Sequence, residues 1–375
     1  MFDSILDFLN PINRSEISGD TNYKEGQIGK FIKLYDQEFP DLDEADIVLV
    51  GCAEQRGAAL LHQSTAPFAI RSEFYNLYHW HSDIKIADIG DVKIGKAGSD
   101  TYAALKMVLH ELMEAGKTVV VLGGSNDLTL AQYYAFADDK KAIDAVGVDA
   151  LIDINLDSPF RADNFLMELL TTEPNYMRHY NHIGFQSYYV HPRMLETMDK
   201  LRFDCFRVGT VKEHIEEMEP VIRNCSLLSF DISAIANAFA PANHITPNGL
   251  NGEEACTLLQ YAGMSPNMRS IGIYNYRPER DVEHLTAKQI SQMLWYFMDG
   301  FSRNKREAKI EERELFNEYH TALAEVDTIF LQSKKTGRWW MQLPDKQFIA
   351  CSYKDYVTAS NNELPERWLR AQERP

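Results

Sequence analysis

Short apolar runs alternate with longer amphipathic stretches along most of this chain, and that rhythm constrains its fold more than any single residue. The runs lie at 47–51, 85–90, 118–122, 150–155, 182–186, 204–209, 226–232 and 269–276. Several are apolar nearly throughout, the pattern of strands covered on both faces. Between them lie helical patterns such as 102–116, where Gly116 stands as a C-terminal stop. The alternation predicts an α/β fold: a three-layer α/β/α arrangement around a doubly wound, mainly parallel, eight-stranded sheet. Open sheets of this kind take their ligands beyond the C-terminal ends of the strands.

The 375 residues are enough for one large α/β domain, expected over 45–303, preceded by a segment at 1–44 and followed by an extension at 304–375. The extension starts with a charged helical pattern over 304–326, whose run 305–314 alternates sign and reads as a solvated helix laced by i,i+4 pairs. Its aromatic tail, with Trp339, Trp340, Phe348, Tyr353, Tyr356 and Trp368, is expected to cover the core or a subunit contact, or to dock a protein partner. A net charge of -17 with no basic stretch argues against nucleic acid or an anionic membrane as a partner, since both would be repelled. Met1-Phe2-Asp3-Ser4 carries no basic leader, and no apolar run approaches the roughly 18 residues of a membrane span. The expected address is cytoplasmic. Five scattered cysteines without a CxxC spacing signal neither a disulfide framework nor a zinc site, and they read as small core residues.

Three polar runs stand at or near the C-terminal ends of predicted strands: Gly123-Gly124-Ser125-Asn126-Asp127, Asp153-Ile154-Asn155-Leu156-Asp157 and Ser229-Phe230-Asp231-Ile232-Ser233. If Asp153, Asp157 and Asp231 converge, ionised carboxylates about 4 Å apart repel by up to ~4 kcal/mol at an effective dielectric of about 20. A hard cation such as Mg²⁺ or Ca²⁺, held with Asn126 or Asn155 and waters, relieves that charge. So does a raised pKa on one aspartate, or an arginine reaching in, with Arg161 the closest in sequence. In the bland alternative these residues cap loops and bind backbone amides.

In order, the three runs resemble the metal motifs of the ureohydrolase family (arginase, agmatinase, formimidoylglutamase), written roughly Gly-Gly-x-His, Asp-Ala-His-x-Asp and Ser-x-Asp-x-Asp. Ala66-Pro67-Phe68-Ala69-Ile70-Arg71, Ile89-Gly90-Asp91-Val92, Ala238-Phe239-Ala240-Pro241 with Gly249-Leu250, and Thr286-Ala287 resemble further family segments, nearest the formimidoylglutamase branch. The resemblance implies an arginase-like fold and a chemistry in which two Mn²⁺ ions, about 3.5–4 Å apart, share an attacking hydroxide. On this mapping Asp153 and Asp231 bridge the ions. The first ion adds Asp157 and the histidine replaced by Asn126; the second adds the histidine replaced by Asn155 and the aspartate replaced by Ser233. Neutral amide and hydroxyl oxygens do not substitute for imidazole or carboxylate around a first-row metal. The expectation is no metal, or a single Mg, Ca or Mn ion.

The substrate side departs as well. Asn275 stands where the resemblance implies a carboxylate facing a cationic substrate, with Arg277 two residues on, and Arg161 lies in the stretch after the second motif. His179 and His182 read as structural histidines. Two functions follow: an inactive or impaired formimidoylglutamase-like binding or scaffold protein, or a hydrolase of formimino or guanidino C–N bonds with an altered, at most mononuclear site. The resemblance also implies a homo-oligomer.

Overall fold

Valine and isoleucine in consecutive strand positions point to opposite faces, so an unbroken apolar strand must be covered twice. In the computed structural model, which describes residues 2–17, 23–323 and 326–373, that is what happens. In chain order the main-sheet strands are β1 (Leu9–Asn10), β2 (Lys33–Leu34), β3 (Ile47–Cys52), β4 (Ile86–Val92), β5 (Thr118–Gly123), β6 (Ile143–Val148), β7 (Met177–Phe185), β8 (Asp204–Arg207), β9 (Leu227–Asp231) and β10 (Ser270–Tyr274). Ile47 and Leu49 enter one core with Val120 and Leu122, while Val48 and Val50 enter another with Val119 and Val121. Each such side chain contributes roughly 1.5–3 kcal/mol by leaving water.

The strands run in the order β1-β4-β3-β5-β10-β9-β6-β7-β8, with β2 also beside β4. Only β1 is antiparallel to its neighbour. Seven of the eight expected strands are thus present, with β6 in place of the eighth and two short strands added. Helices Ala66–Phe74, Gly252–Gly263 and Leu285–Lys305 pack on one face. Helices Gly98–Glu114, Thr129–Ala137 and Phe165–Thr171 cover the other.

One strand is displaced from its expected place. The run at 150–155 is not a strand; β6 occupies 143–148, and 149–155 leaves the sheet as a loop. Asp144 and Gly147 dilute the apolar signal of β6, but both are explained by neighbours on β7. Asp144 accepts two 2.8 Å bonds from Arg178, and a Cβ on Gly147 would lie 2.1 Å from the Tyr180 hydroxyl. Ile152 and Ile154 are apolar because they fold under helix Phe165–Thr171, a role that periodicity does not separate from a strand.

The extension also differs from expectation. Helix Leu285–Lys305 stops at the start of the charged stretch, and β11 (Phe316–Leu323), β12 (Val326–Ser333), β13 (Trp339–Gln342) and β14 (Phe348–Cys351) form an antiparallel sheet, followed by helices Tyr353–Ser360 and Glu366–Glu373. Helical i,i+4 pairs worth a few tenths of a kcal/mol lose to buried tertiary partners. Glu307 pairs with Arg338 at 2.9 Å and accepts from Ser333 at 2.6 Å. Arg338 in turn donates to the Met264 carbonyl at 2.8 Å. Arg223 donates to the Trp339 carbonyl at 2.6 Å and lies 4.5 Å from the Trp340 ring centroid. Arg223 precedes β9 and Met264 precedes β10, so the extension docks at the N-terminal ends of the strands. Trp339 and Trp340 fill its own two small cores.

Arg71, buried on helix Ala66–Phe74, ties that helix to β4. It donates to both Asp88 oxygens at 2.8 and 3.0 Å, to Asp91 at 2.6 Å and to the Gly90 carbonyl at 2.9 Å. Removing one partner of such a pair strands a buried charge. Arg71→Ala is therefore expected to lose about 3–5 kcal/mol in urea unfolding; a loss under 1 kcal/mol would show the pair to be dispensable.

Candidate functional site

Strand register decides which side chains meet at the C-terminal edge. Val148 of β6 is level with Phe230 of β9, and Asp231 is level with Tyr274 of β10. One step beyond Val148 stands Asp149, beside Asp231, and one step beyond Tyr274 stands Asn275. The Asn275 amide N–H donates to the Gly124 carbonyl at 2.8 Å, which joins β10 to the turn after β5. A Cβ on Gly124 would lie 1.8 Å from the Glu54 carbonyl oxygen, so only glycine lets this turn carry Asn126 inward.

Asp149, Asp153 and Asp231 are all buried here, and each accepts a hydrogen bond from a neutral side chain. Asn126 Nδ2 donates to Asp153 at 2.7 Å, Ser233 Oγ to Asp149 at 2.6 Å, and Asn275 Nδ2 to Asp231. Backbone amides add to this, Leu151 N–H to Asp149 at 2.9 Å and Ser233 N–H to Asp231 at 2.7 Å. Burial pushes all three carboxyl pKa values up. The charge of Asp231 raises Asp149 further, and those of Asp149 and Asp231 raise Asp153. The interaction between Asp149 and Asp153 raises Asp153 and lowers Asp149. Hydrogen bonds from Ser233 and Asn275 and the nearby charge of Arg277 act in the opposite direction on Asp231.

Beneath the cluster is a cavity with room for about one water, lined in part by Asn126, the three aspartates and His182. His182 Nε2 lies 3.2 Å from the Asp149 carbonyl, which only accepts, so Nε2 carries the proton and Nδ1 faces the Tyr180 hydroxyl at 3.2 Å. Burial holds its pKa down to about 4, and the ring is neutral. Asn126 Oδ1 is buried without a hydrogen-bond partner.

The fold therefore gathers Asn126, Asp153, Asp231, Ser233 and Asn275, with Arg277 half-buried beside them. Asn155 and Asp157 do not join them. Both are exposed, and the Asn155 side chain accepts from the Asp157 amide at 3.2 Å within its own loop. Arg161 does not reach the aspartates either: it binds Glu168 at 2.9 Å and lies 4.6 Å from the Tyr102 ring centroid. Asp149, absent from the expected set, meets Asp153 and Asp231 because β6 ends at Val148, while Asp157 stays outside. Asp149-Ala150 repeats the first two residues of the Asp-Ala-His-x-Asp pattern, a signal that was present in the sequence.

The arginase family model matches residues 45–299. The chain belongs to the arginase family. It is 26% identical over 282 residues to the formimidoylglutamase of Halobacterium salinarum, covering 69% of this chain and 89% of that one. Its fold is similar to Trypanosoma cruzi formiminoglutamase solved with Mn²⁺, at TM-score 0.66 and 17% identity, covering 74% of this chain and 99% of that one. Formimidoylglutamase from Bacillus subtilis gives TM-score 0.66 at 18% identity, covering 76% and 95%.

Set against the Asp-Ala-His-x-Asp pattern, Asp149-Ala150-Leu151-Ile152-Asp153 agrees at its first, second and fifth residues and has Leu151 where the pattern has histidine. Leucine has no lone pair to offer, and Ser233 stands at the partner aspartate, so the residues do not fit a second ion. Around a first ion, Asn126, Asp149, Asp153 and Asp231 make an all-oxygen set of a kind that suits a hard cation. The aspartates do not bring three carboxylate oxygens within 4.8 Å of one another; among the described residues His110 and Glu114 of helix Gly98–Glu114 and Asp139, in the turn after helix Thr129–Ala137, do form such a group.

The raised pKa values have a sign. A carboxyl whose folded pKa exceeds its unfolded value lends stability at low pH and loses that contribution as pH rises through the folded value. His182 acts oppositely, favouring the fold above its unfolded pKa of about 6.5 and losing that as pH falls toward 4. Asp153→Asn keeps an acceptor for Asn126 while removing one charge. It is expected to stabilise the protein by about 1–3 kcal/mol, a gain over the parent chain that widens between pH 4 and 8 in denaturant titrations. A gain that is absent, or flat with pH, contradicts this account of the cluster.

Proposed function

We propose that this arginase-family chain is a formimidoylglutamase-type binding or scaffold protein that does not hydrolyse formimino or guanidino C–N bonds through paired manganese ions. One observation carries this reading. At Asn126, Ser233 and Asn275, the positions where the family resemblance implies a metal ligand or a substrate carboxylate, the chain places donors, and each donates to one of the three aspartates. Cation-binding carboxylates have thereby become internal acceptors. The pocket offers a cationic substrate neutral Asn275 and positive Arg277 in place of a carboxylate.

The expected result is no release of formamide or urea from formiminoglutamate, arginine or agmatine after incubation in excess Mn²⁺. Robust release overturns the reading. The reversion N126H/L151H/S233D is expected to raise bound manganese toward two ions per chain by elemental analysis, against at most one in the parent. No gain in a folded reversion would show that these positions are not what excludes the metal.

The second reading, metal-dependent hydrolysis at a single ion, is favoured by Asn126 Oδ1, a buried acceptor without a partner that lines the cavity with the three aspartates. An ion held there would polarise a bound oxygen. Calorimetry with Mg²⁺, Ca²⁺ and Mn²⁺ separates the two readings: the first expects no heat, and the second expects heat that Asn126→Ala abolishes. A cytoplasmic address belongs to the same proposal. It is supported by five free cysteines, and no described helix is long and apolar enough to cross a membrane.

A further inference from the structure

A second cavity, of about 240 Å³, opens among the helical turn Ile28–Phe31, β2 and the start of β4. It lies at the end of the sheet opposite the aspartates. A water needs only about 10–15 Å³ on the same scale, so this space suits a small molecule. Phe31, Ile32, Ile84 and Ile86 give it an apolar lining, and Lys33 and Lys85 are its charged residues.

Those two lysines distinguish it from an ordinary surface cleft. Neither forms an ion pair among the described residues; Lys33 Nζ donates to the Asp41 carbonyl and Lys85 Nζ to the Ser82 carbonyl, each at 3.1 Å. An ammonium has three donors, so each keeps two for a ligand. Asp46, whose carboxylate accepts from the Lys85 amide, is already paired with Lys305 at 2.7 Å. His79 Nε2 faces the Ile84 carbonyl at 3.0 Å and so carries its proton, and burial lowers the ring's pKa, leaving a neutral wall. In a chain with 55 acidic and 38 basic residues, a cavity lined by lysines and no carboxylate opposes the overall charge.

We propose that this cavity binds a small amphipathic anion, a carboxylate or phosphate ester on an aliphatic body, with the body among the isoleucines and the headgroup between Lys33 and Lys85. The rest of the protein repels anions, so affinity must come from these two ammonium groups together with apolar burial. This inference does not rest on any reading of the aspartate cluster.

Isothermal titration of the full chain with octanoate, octyl phosphate, octanol and octylamine tests it. At least one of the two anions should bind at least tenfold more tightly than octanol, with octylamine weakest, and the tighter anion names the headgroup. Lys33→Ala/Lys85→Ala should weaken that anion at least tenfold with an unchanged melting temperature. Ser82→Trp, which places a ring at this exposed lining position, should weaken octanol and the anions alike. Octanol binding as tightly as the tighter anion, or that anion unaffected by loss of both lysines, overturns the proposal.

Discussion

Three carboxyl groups packed together away from water cannot all be ionised without compensation, and the site is arranged around that constraint. Unit charges about 5 Å apart repel by roughly 3 kcal/mol at an effective dielectric of about 20. A metal-binding relative meets the problem with cations. Here it is met by amide and hydroxyl donors from Asn126, Ser233 and Asn275 and by backbone amides. These are weaker remedies than an opposite charge, which is why the acid groups stay shifted toward their neutral forms.

Elsewhere the same chain pairs buried charges fully. Arg71 meets Asp88 and Asp91, and Arg338 meets Glu307, with backbone carbonyls taking the remaining guanidinium donors. These clusters pin a helix to β4 and the extension to the N-terminal edge of the sheet. The C-terminal edge, where the aspartates gather, carries neutral compensation. Paired charges thus brace the extension at the N-terminal edge, while the aspartate cluster at the C-terminal edge stays under-compensated.

Much of the fold was legible because strands covered on both faces announce themselves as unbroken apolar runs, and Gly116, in the left-handed region at φ 77°, closed its helix as expected. The site was partly legible. Asn126, Asp231 and Ser233 follow strands whose ends were placed within a residue or so, and they converge. Asp149 was hidden because Asp144 and Gly147 weaken the apolar signal of β6, and both are explained by β7 side chains that no local window contains. The extension failed for a related reason: Glu307 looks like one member of a solvated charge run until Arg338, far along the chain, takes it.

The docking of the last strands has a consequence for synthesis on the ribosome. Arg223 and Met264 belong to the central domain, yet the carbonyl that accepts from one and the guanidinium that binds the other arrive only with residues 338 and 339. The domain emerges well before those partners, leaving a buried-to-be guanidinium facing water in the meantime. A chain ending before residue 338 would leave the Arg223 guanidinium without the Trp339 carbonyl and the Met264 carbonyl without Arg338, an open charged seam at this edge.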